Sequence, residues 1–266
     1  MKLSKRSRLS TYRASMLSSE VAQKTGVVCS IGGGLLLWEI ASLLSHTALL
    51  PSPVEVVATA EKMGLWVILV HAAASISRIL VGFVAGSTLA IVVGLLMGWY
   101  GLFRAATDPW IQFFRAVPPL ALIPLVTLLL GINELPKYVV IGLAAFLPVT
   151  VAVAQGVLDV DSGLINVARV LGSSQARIFR SVVIPAASPV IMIGLRIGLG
   201  NCWGTLVAAE LIASRSGLGY MTSQGAMYFD VPEIFLGIVL IGVCGIIMDR
   251  MLHAVQQHVT AWQERR

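Results

Sequence analysis

Residues 79–99 read ILVGFVAGSTLAIVVGLLMGW, 21 consecutive positions without a charge. A helix crosses the hydrocarbon core of a bilayer with about 20 mostly apolar residues, so this stretch by itself predicts a span. Within it and at its edge, Gly82, Gly86, Ala90, Gly94 and Gly98 recur at intervals of four, placing small side chains along one slowly drifting ridge. Gly82/Gly86 and Gly94/Gly98 are GxxxG pairs, which let backbones approach where lipid supplies no hydrophobic drive between helices. The ridge predicts a closely packed bundle interior or a dimer face. The device returns at Gly194 and Gly198, and again at Gly200, Gly204 and Ala208.

The rest of the chain agrees with a membrane protein. Of 266 residues, 57% are hydrophobic and 12% charged, and the mean hydropathy is +0.86; soluble domains carry about 45–50% apolar residues. Six segments qualify as spans: 26–45, 74–99, 116–132, 138–158, 188–212 and 234–252. The third contains Pro118, Pro119 and Pro124 and is expected to be kinked or partly re-entrant. The fold class is therefore all-α and polytopic.

With six spans both termini fall on one side. The Lys and Arg residues of 1–24, with Arg104, Arg115, Arg169, Arg177, Arg180, Arg250, Arg265 and Arg266, share that side; Lys62, Lys137 and Arg215 lie opposite. The bias predicts cytoplasmic termini and accounts for the net charge of +6 as topology, with no nucleic-acid partner. The apolar run begins near Gly26 without an A-x-A-like cleavage site after it, which predicts an uncleaved signal anchor. Cys29, Cys202 and Cys244 all sit in apolar runs and read as packing residues.

Four charges touch the spans. Arg78 reads as an interfacial anchor or a pathway residue, Glu39 as a carboxylate that needs a partner, and a Glu39–Arg78 pair is one candidate. Glu210 reads as interfacial. Arg196 either snorkels or faces a water-filled path and attracts an anion; with Asn201, Trp203 and Thr205 it forms the candidate translocation path.

Other chemistry is missing. There is no G-x-x-x-x-G-K-[ST], since "GINELPK" at 131–137 has Pro136 where the glycine should stand. His46, His71, His253 and His258 are scattered, no G-x-S-x-G elbow occurs, and no metal site is expected. Energy for uphill transport would have to come from another chain.

The segment from Asp159 to Ala187 is long for a helix–helix connection, typically 2–8 residues. Leu164, Ala168 and Leu171 fall at helical spacing on one face. Gly172 supplies a break, Ser173 or Ser174 can cap a second helix, and Pro185 should end or kink it. An amphipathic pair on anionic headgroups, through Arg177 and Arg180, would share these features.

The run NVARVLGSSQARIFRSVVIP at 166–185 resembles the cytoplasmic signature of type I binding-protein-dependent ABC importer permeases, E-A-A, three residues, G, nine residues, I-x-L-P. Asn166, Val167 and Ala168 take the E-A-A positions, with Asn166 replacing the carboxylate; Gly172 and Pro185 match in place. The resemblance extends over about 71–255, through DPWIQFFRAVPPLALIPL and GLRIGLGNCWGTLVAAELIASRSGLGYM, and leans toward taurine or alkanesulfonate importers within a branch that also imports nitrate and bicarbonate.

The resemblance implies a permease subunit in a bacterial inner membrane. A separate ATPase would bind ATP and Mg and dock on a coupling helix formed by Asn166, Val167, Ala168, Arg169, Leu171, Gly172 and Pro185. An extracytoplasmic solute-binding protein and a second permease copy would complete the assembly, and this chain would hold no cofactor and carry out no enzymatic step. The implied organisation is a basic N-terminus, first span and outer loop over 1–70, a permease domain over 71–255 and a tail over 256–266. An ATP-independent secondary transporter is the alternative; it predicts intramembrane charge pairs or inverted repeats.

Overall fold

The computed structural model describes residues 25–261, apart from 27 and 46–48, and all but the side chain at 213. The basic stretch 1–24, the tail 262–266 and His46 lie outside the described residues. The chain divides into two compact units, Met1–Lys62 and Met63–Arg266.

In the first unit α1 (Val28–Ser45) is a span, and α2 (Pro53–Met63) follows. The turn between them is tied back to α1: Trp38 Nε1 donates to the Pro51 carbonyl at 3.0 Å and Ser42 Oγ to that of Leu50 at 2.8 Å. α2 starts with a reciprocal capping box. Ser52 N donates to Glu55 Oε2 at 3.0 Å and Glu55 N to Ser52 Oγ at 3.1 Å, satisfying two N–H groups that a helix start leaves open.

The second unit opens with α3 (Leu65–Trp99). α3 packs along α6 (Leu135–Leu158) for most of its length. Gly82 faces Ile141 and the Tyr138 carbonyl, Gly86 the backbone of Gly142, Gly94 Val153 and the Thr150 carbonyl, and Gly98 Val157 and the Ala154 carbonyl. Partners advance in step along both helices, which therefore run parallel with the glycine row of α3 against α6. α9 (Ile184–Ala213) covers the other side of α6, with Gly194 against Ala152 and Gly198 against Val149. Gly200 and Gly204 of the second expected row have open space.

The third expected segment is broken, as its prolines predict. α4 (Gly101–Ala116) ends at extended Val117 and Pro118, a 3-10 turn spans Pro119–Leu122, and α5 (Ile123–Leu130) leaves at 85° to α4. Two successive prolines remove the donors and crowd the carbonyls a continuous helix needs. The eight residues of α5, about 12 Å at 1.5 Å each, cannot cross a bilayer alone.

α7 (Ser162–Val170) and α8 (Gln175–Ile178) occupy the 159–187 segment. Pro185 does not end the second of them. A π segment, Phe179–Val183, joins α8 to α9, with Ile184 N donating to the Phe179 carbonyl, and Gln175–Ile212 runs as 38 helical residues. The wider π turn relieves the clash between a proline ring and the preceding turn. A short α10 (Leu218–Met227) and the span α11 (Val231–Thr260) complete the bundle; α11 continues into the expected tail.

Candidate functional site

Three places concentrate chemistry: the α7–α8 segment, a buried ionic cluster at the opposite end of α9, and a groove between α9 and α11.

The Asp161 side chain caps α7 by accepting from Gly163 N at 2.7 Å. Its C-terminus is a Schellman closure: Gly172 N donates to the Arg169 carbonyl at 3.0 Å and Ser173 N to that of Ala168 at 3.1 Å, with Gly172 at φ +77°. Ser174, rather than Ser173, caps α8, accepting from Arg177 N at 3.4 Å. Ile165 and Ala168 turn inward onto a cluster of Val153, Val157, Ile178, Val183 and Ala187, and Trp99 meets Phe179 there at 5.0 Å. Val167, Val170 and Leu171 are 60, 87 and 78% exposed. The face expected from Leu164, Ala168 and Leu171 is thus split: Ala168 anchors, while Leu164 and Leu171 face outward, because α7 packs through one narrow stripe. Asn166 is exposed and accepts from Arg169 Nη1 at 3.3 Å. Pro185 is exposed in the first turn of α9.

At the far end of α9, a turn over 214–217 leads into α10. Arg78, 5% exposed in its side chain, directs all five N–H donors to three residues. Nε and Nη2 reach Glu134 at 2.7 and 3.0 Å; Nη1 reaches Glu210 at 2.7 Å and the Ser216 carbonyl at 2.6 Å; Nη2 also reaches Ser216 Oγ at 3.2 Å. The sequence reading named none of these partners of Arg78. Glu210 is 0% exposed in its side chain and accepts from Ser75 Oγ at 2.9 Å and Gly219 N at 2.8 Å as well.

Ser75 Oγ accepts in turn from Leu218 N at 2.8 Å, and His71 Nδ1 from Gly217 N at 3.1 Å. The three N–H groups at the start of α10 are all taken by side chains. Gly217, at φ +123°, has no room for a Cβ, which would strike the Glu210 carboxylate. Lys137, assigned from sequence to a loop charge, is buried, and its Nζ donates to Glu134 at 2.6 Å and to Ser214 Oγ at 3.2 Å.

The Arg78 hydrogen bond, with a lesser one from Lys137, holds the Glu134 carboxyl down to about 2 from its usual 4.5. A lowered carboxyl favours the folded state above its unfolded pKa, and that contribution disappears as pH falls through the folded value. Thermal midpoints in detergent should therefore separate wild type from Glu134→Gln by a constant interval above pH 4.5, narrowing toward pH 2. An interval that widens on acidification would overturn the assignment.

The third place is a groove of about 480 Å³ whose lining includes Arg196, Gly200, Trp203, Gly242, Gly245 and Asp249. Arg196 donates from Nε and Nη2 to the two oxygens of Asp249 at 2.9 and 2.8 Å, with the side chains 37 and 44% exposed. Arg196 has its charge matched by a residue 53 positions away. Of the four path candidates the structure brings Arg196 and Trp203 to one groove. Thr205 is buried and Asn201 exposed, and neither lines it. Among the described residues no three His, Cys, Asp or Glu side chains converge.

Residues 86–261 match the family described as binding-protein-dependent transport system inner membrane component. The chain belongs to this family. A probable ABC transporter permease protein of Brucella abortus is 51% identical over 236 residues, 88% of this chain and 92% of that one. The taurine transport system permease protein TauC of Escherichia coli is 40% identical over 192 residues, 72% of this chain and 70% of its own length. Among solved structures, inward-facing MetNI methionine ABC transporter superposes with a TM-score of 0.60 at 21% identity, covering 74% of this chain and 99% of that one. The all-α bundle is thus the fold of an ABC importer permease, and the protein is a transport permease of the inner membrane.

Proposed function

We propose that this permease serves an ATP-driven importer of a small anionic solute, with taurine or another aliphatic sulfonate the best-supported cargo. The observation that carries the coupling half of the reading is α7. It presents Val167, Val170 and Leu171 outward from a base fixed by Ile165, Ala168 and the Gly172 closure. An apolar helical face of that kind suits the groove of a cytoplasmic ATPase subunit, and with Asn166 in place of a carboxylate the fit rests on shape and apolar contact.

The Lys/Arg distribution supports placing α7 and both termini in the cytoplasm, and the 214–217 turn outside. Two permease copies, two ATPase subunits holding ATP and Mg, and an extracytoplasmic binding protein make up the assembly. Closure of the ATPases would displace α7 and swing the spans from inward-open to outward-open. Identity to the taurine permease over 192 residues supports the sulfonate reading. The half-exposed Arg196–Asp249 pair and Trp203 are the proposed path contacts. A buried Arg78–Glu210 pair is the kind of feature that an ATP-independent transporter would show, but the Arg78 donors are all satisfied within the cluster.

The test is uptake into proteoliposomes holding the permease, its ATPase and its binding protein, offered taurine, an alkanesulfonate, nitrate and bicarbonate. Taurine or the alkanesulfonate should accumulate only with internal ATP. Accumulation without ATP would end the reading, and ATP-dependent nitrate or bicarbonate uptake alone would move the substrate.

A further inference from the structure

We propose that Arg78 and Glu210 are positioning residues for transport: they weld the start of α10 and the far end of α9 to α3 and α6. These four helices then reorient as one body when α7 is displaced. The inference rests on the reading of α7 as the place where the ATPase acts, and goes beyond it by saying how that movement reaches the other side of the membrane.

The lever is continuous. Gln175–Ile212 is 38 helical residues, about 57 Å at 1.5 Å per residue, so α8 and the distal turn are two ends of one rod. A rod pushed at one end delivers that movement to its neighbours only if it is fixed to them; otherwise it pivots. Along its middle α9 is fixed by Gly194 and Gly198 against α6, and α6 by its glycine contacts to α3.

At the far end the fixing is ionic. Arg78 of α3 holds Glu210 of α9, Glu134 at the start of α6 and Ser216 of the turn. Glu210 and Ser75 hold the N–H groups of Gly219 and Leu218, and His71 holds that of Gly217. Glu134 is 48% exposed, but Arg78 and Glu210 are 5 and 0% exposed in their side chains, and parting a buried pair of that kind is far costlier than parting an exposed one. The cluster is therefore built to stay shut through the cycle. Between α9 and α11, by contrast, the Arg196–Asp249 ion pair is half exposed and lines the groove of about 480 Å³.

A tether tests this directly. The His71 and Tyr220 rings stack with centroids 6.0 Å apart, joining α3 to α10. In a Cys29→Ser background, His71→Cys with Tyr220→Cys is joined by a short bifunctional thiol reagent in the complete complex with its ATPase and binding protein. Cross-linked complex should keep binding-protein-stimulated ATP hydrolysis and taurine uptake within about two-fold of the same variant before cross-linking. Loss of hydrolysis on cross-linking, regained on reduction, would show that the cluster opens and would overturn the inference. Absence of stimulated hydrolysis before any cross-link would instead count against the ATPase reading of α7.

Glu210→Gln supplies the second arm. It should leave the chain inserted and co-purifying with the ATPase and hydrolysis within about two-fold, while taurine carried per ATP falls about ten-fold or more. A fall of uptake and hydrolysis in proportion to assembled complex would mean a merely structural pair. An unchanged ratio would likewise overturn the proposal.

Discussion

Gly86→Leu is expected to leave almost no folded permease in the membrane. A Cβ at Gly86 would overlap the backbone carbonyl of Gly142, and the obstacle is main chain on a helix held on both faces, so no rotamer change makes room. Ordinary overpacking of a core costs about 1–3 kcal/mol; forcing α3 away from α6 also parts the Gly82, Gly94 and Gly98 contacts, which run in register with it. The cost should exceed the roughly 4 kcal/mol that marks an exceptional substitution. Gly86→Ala should already lower the thermal midpoint strongly.

The reverse position is milder, since a Cβ at Gly142 meets the Gly82 carbonyl at 3.3 Å, so Gly142→Ala should fall between Gly86→Ala and wild type. Gly101→Ala has nothing within 4 Å and should be neutral or gain about 0.4–1 kcal/mol through the unfolded chain. Detergent size-exclusion profiles and thermal midpoints of the four variants check this order. Equal behaviour of Gly86→Ala and Gly101→Ala would mean that α3 and α6 do not meet as described.

What could be foreseen followed the range of the interaction. Span positions and the glycine ridge of α3 are periodic within one helix, so their spacing alone announces them. The partner of that ridge is less visible, because α6 offers valine, alanine and main-chain carbonyls rather than a matching row of glycines. The charges failed for a different reason. By the spans expected from sequence Lys137 and Arg215 fall in loops of one side and count equally toward topology, yet Lys137 is buried in the first turn of α6 and Arg215 is exposed. Of the partners that hold Lys137, Glu134 is three residues before it and Ser214 is 77 positions away, so only part of its setting is local.

Arg78 and Glu210 are 132 positions apart, and each taken alone resembles an anchor near a helix end. A signal did exist in the GLGY run at 217–220. Two glycines flanking a leucine at a helix start, beside a lone carboxylate in an apolar span, mark N–H groups that need an acceptor and backbone that needs room. Pro185 is the converse case: the rule that proline stops a helix is sound for α geometry, and the π segment before it escapes the rule.

Gly172→Val should leave the permease folded and assembled while separating ATP hydrolysis from transport. The reasoning is conformational rather than steric. Gly172 has φ +77°, and nothing lies within 4 Å of where a Cβ would stand, so a side chain there meets no clash. The left-handed backbone nevertheless costs an L-residue about 1–2 kcal/mol, and a β-branched one more. The closure made by Gly172 N and Ser173 N would give way first, because α7 has no fully buried residue to hold it in place. α7 would then change its angle to α8, carrying Val167, Val170 and Leu171 with it, while the spans keep their contacts with one another.

The thermal midpoint should stay within a few degrees of wild type, a shift consistent with less than about 1 kcal/mol in a chain of this size. ATP-dependent taurine uptake should fall about ten-fold or more with hydrolysis largely retained. Gly172→Asn separates the two causes, since asparagine tolerates the left-handed region: it should transport close to wild type. If asparagine fails as badly as valine, the need is for a bare backbone at the ATPase surface rather than for a positive φ. If valine transports normally, α7 is not where nucleotide energy enters the membrane.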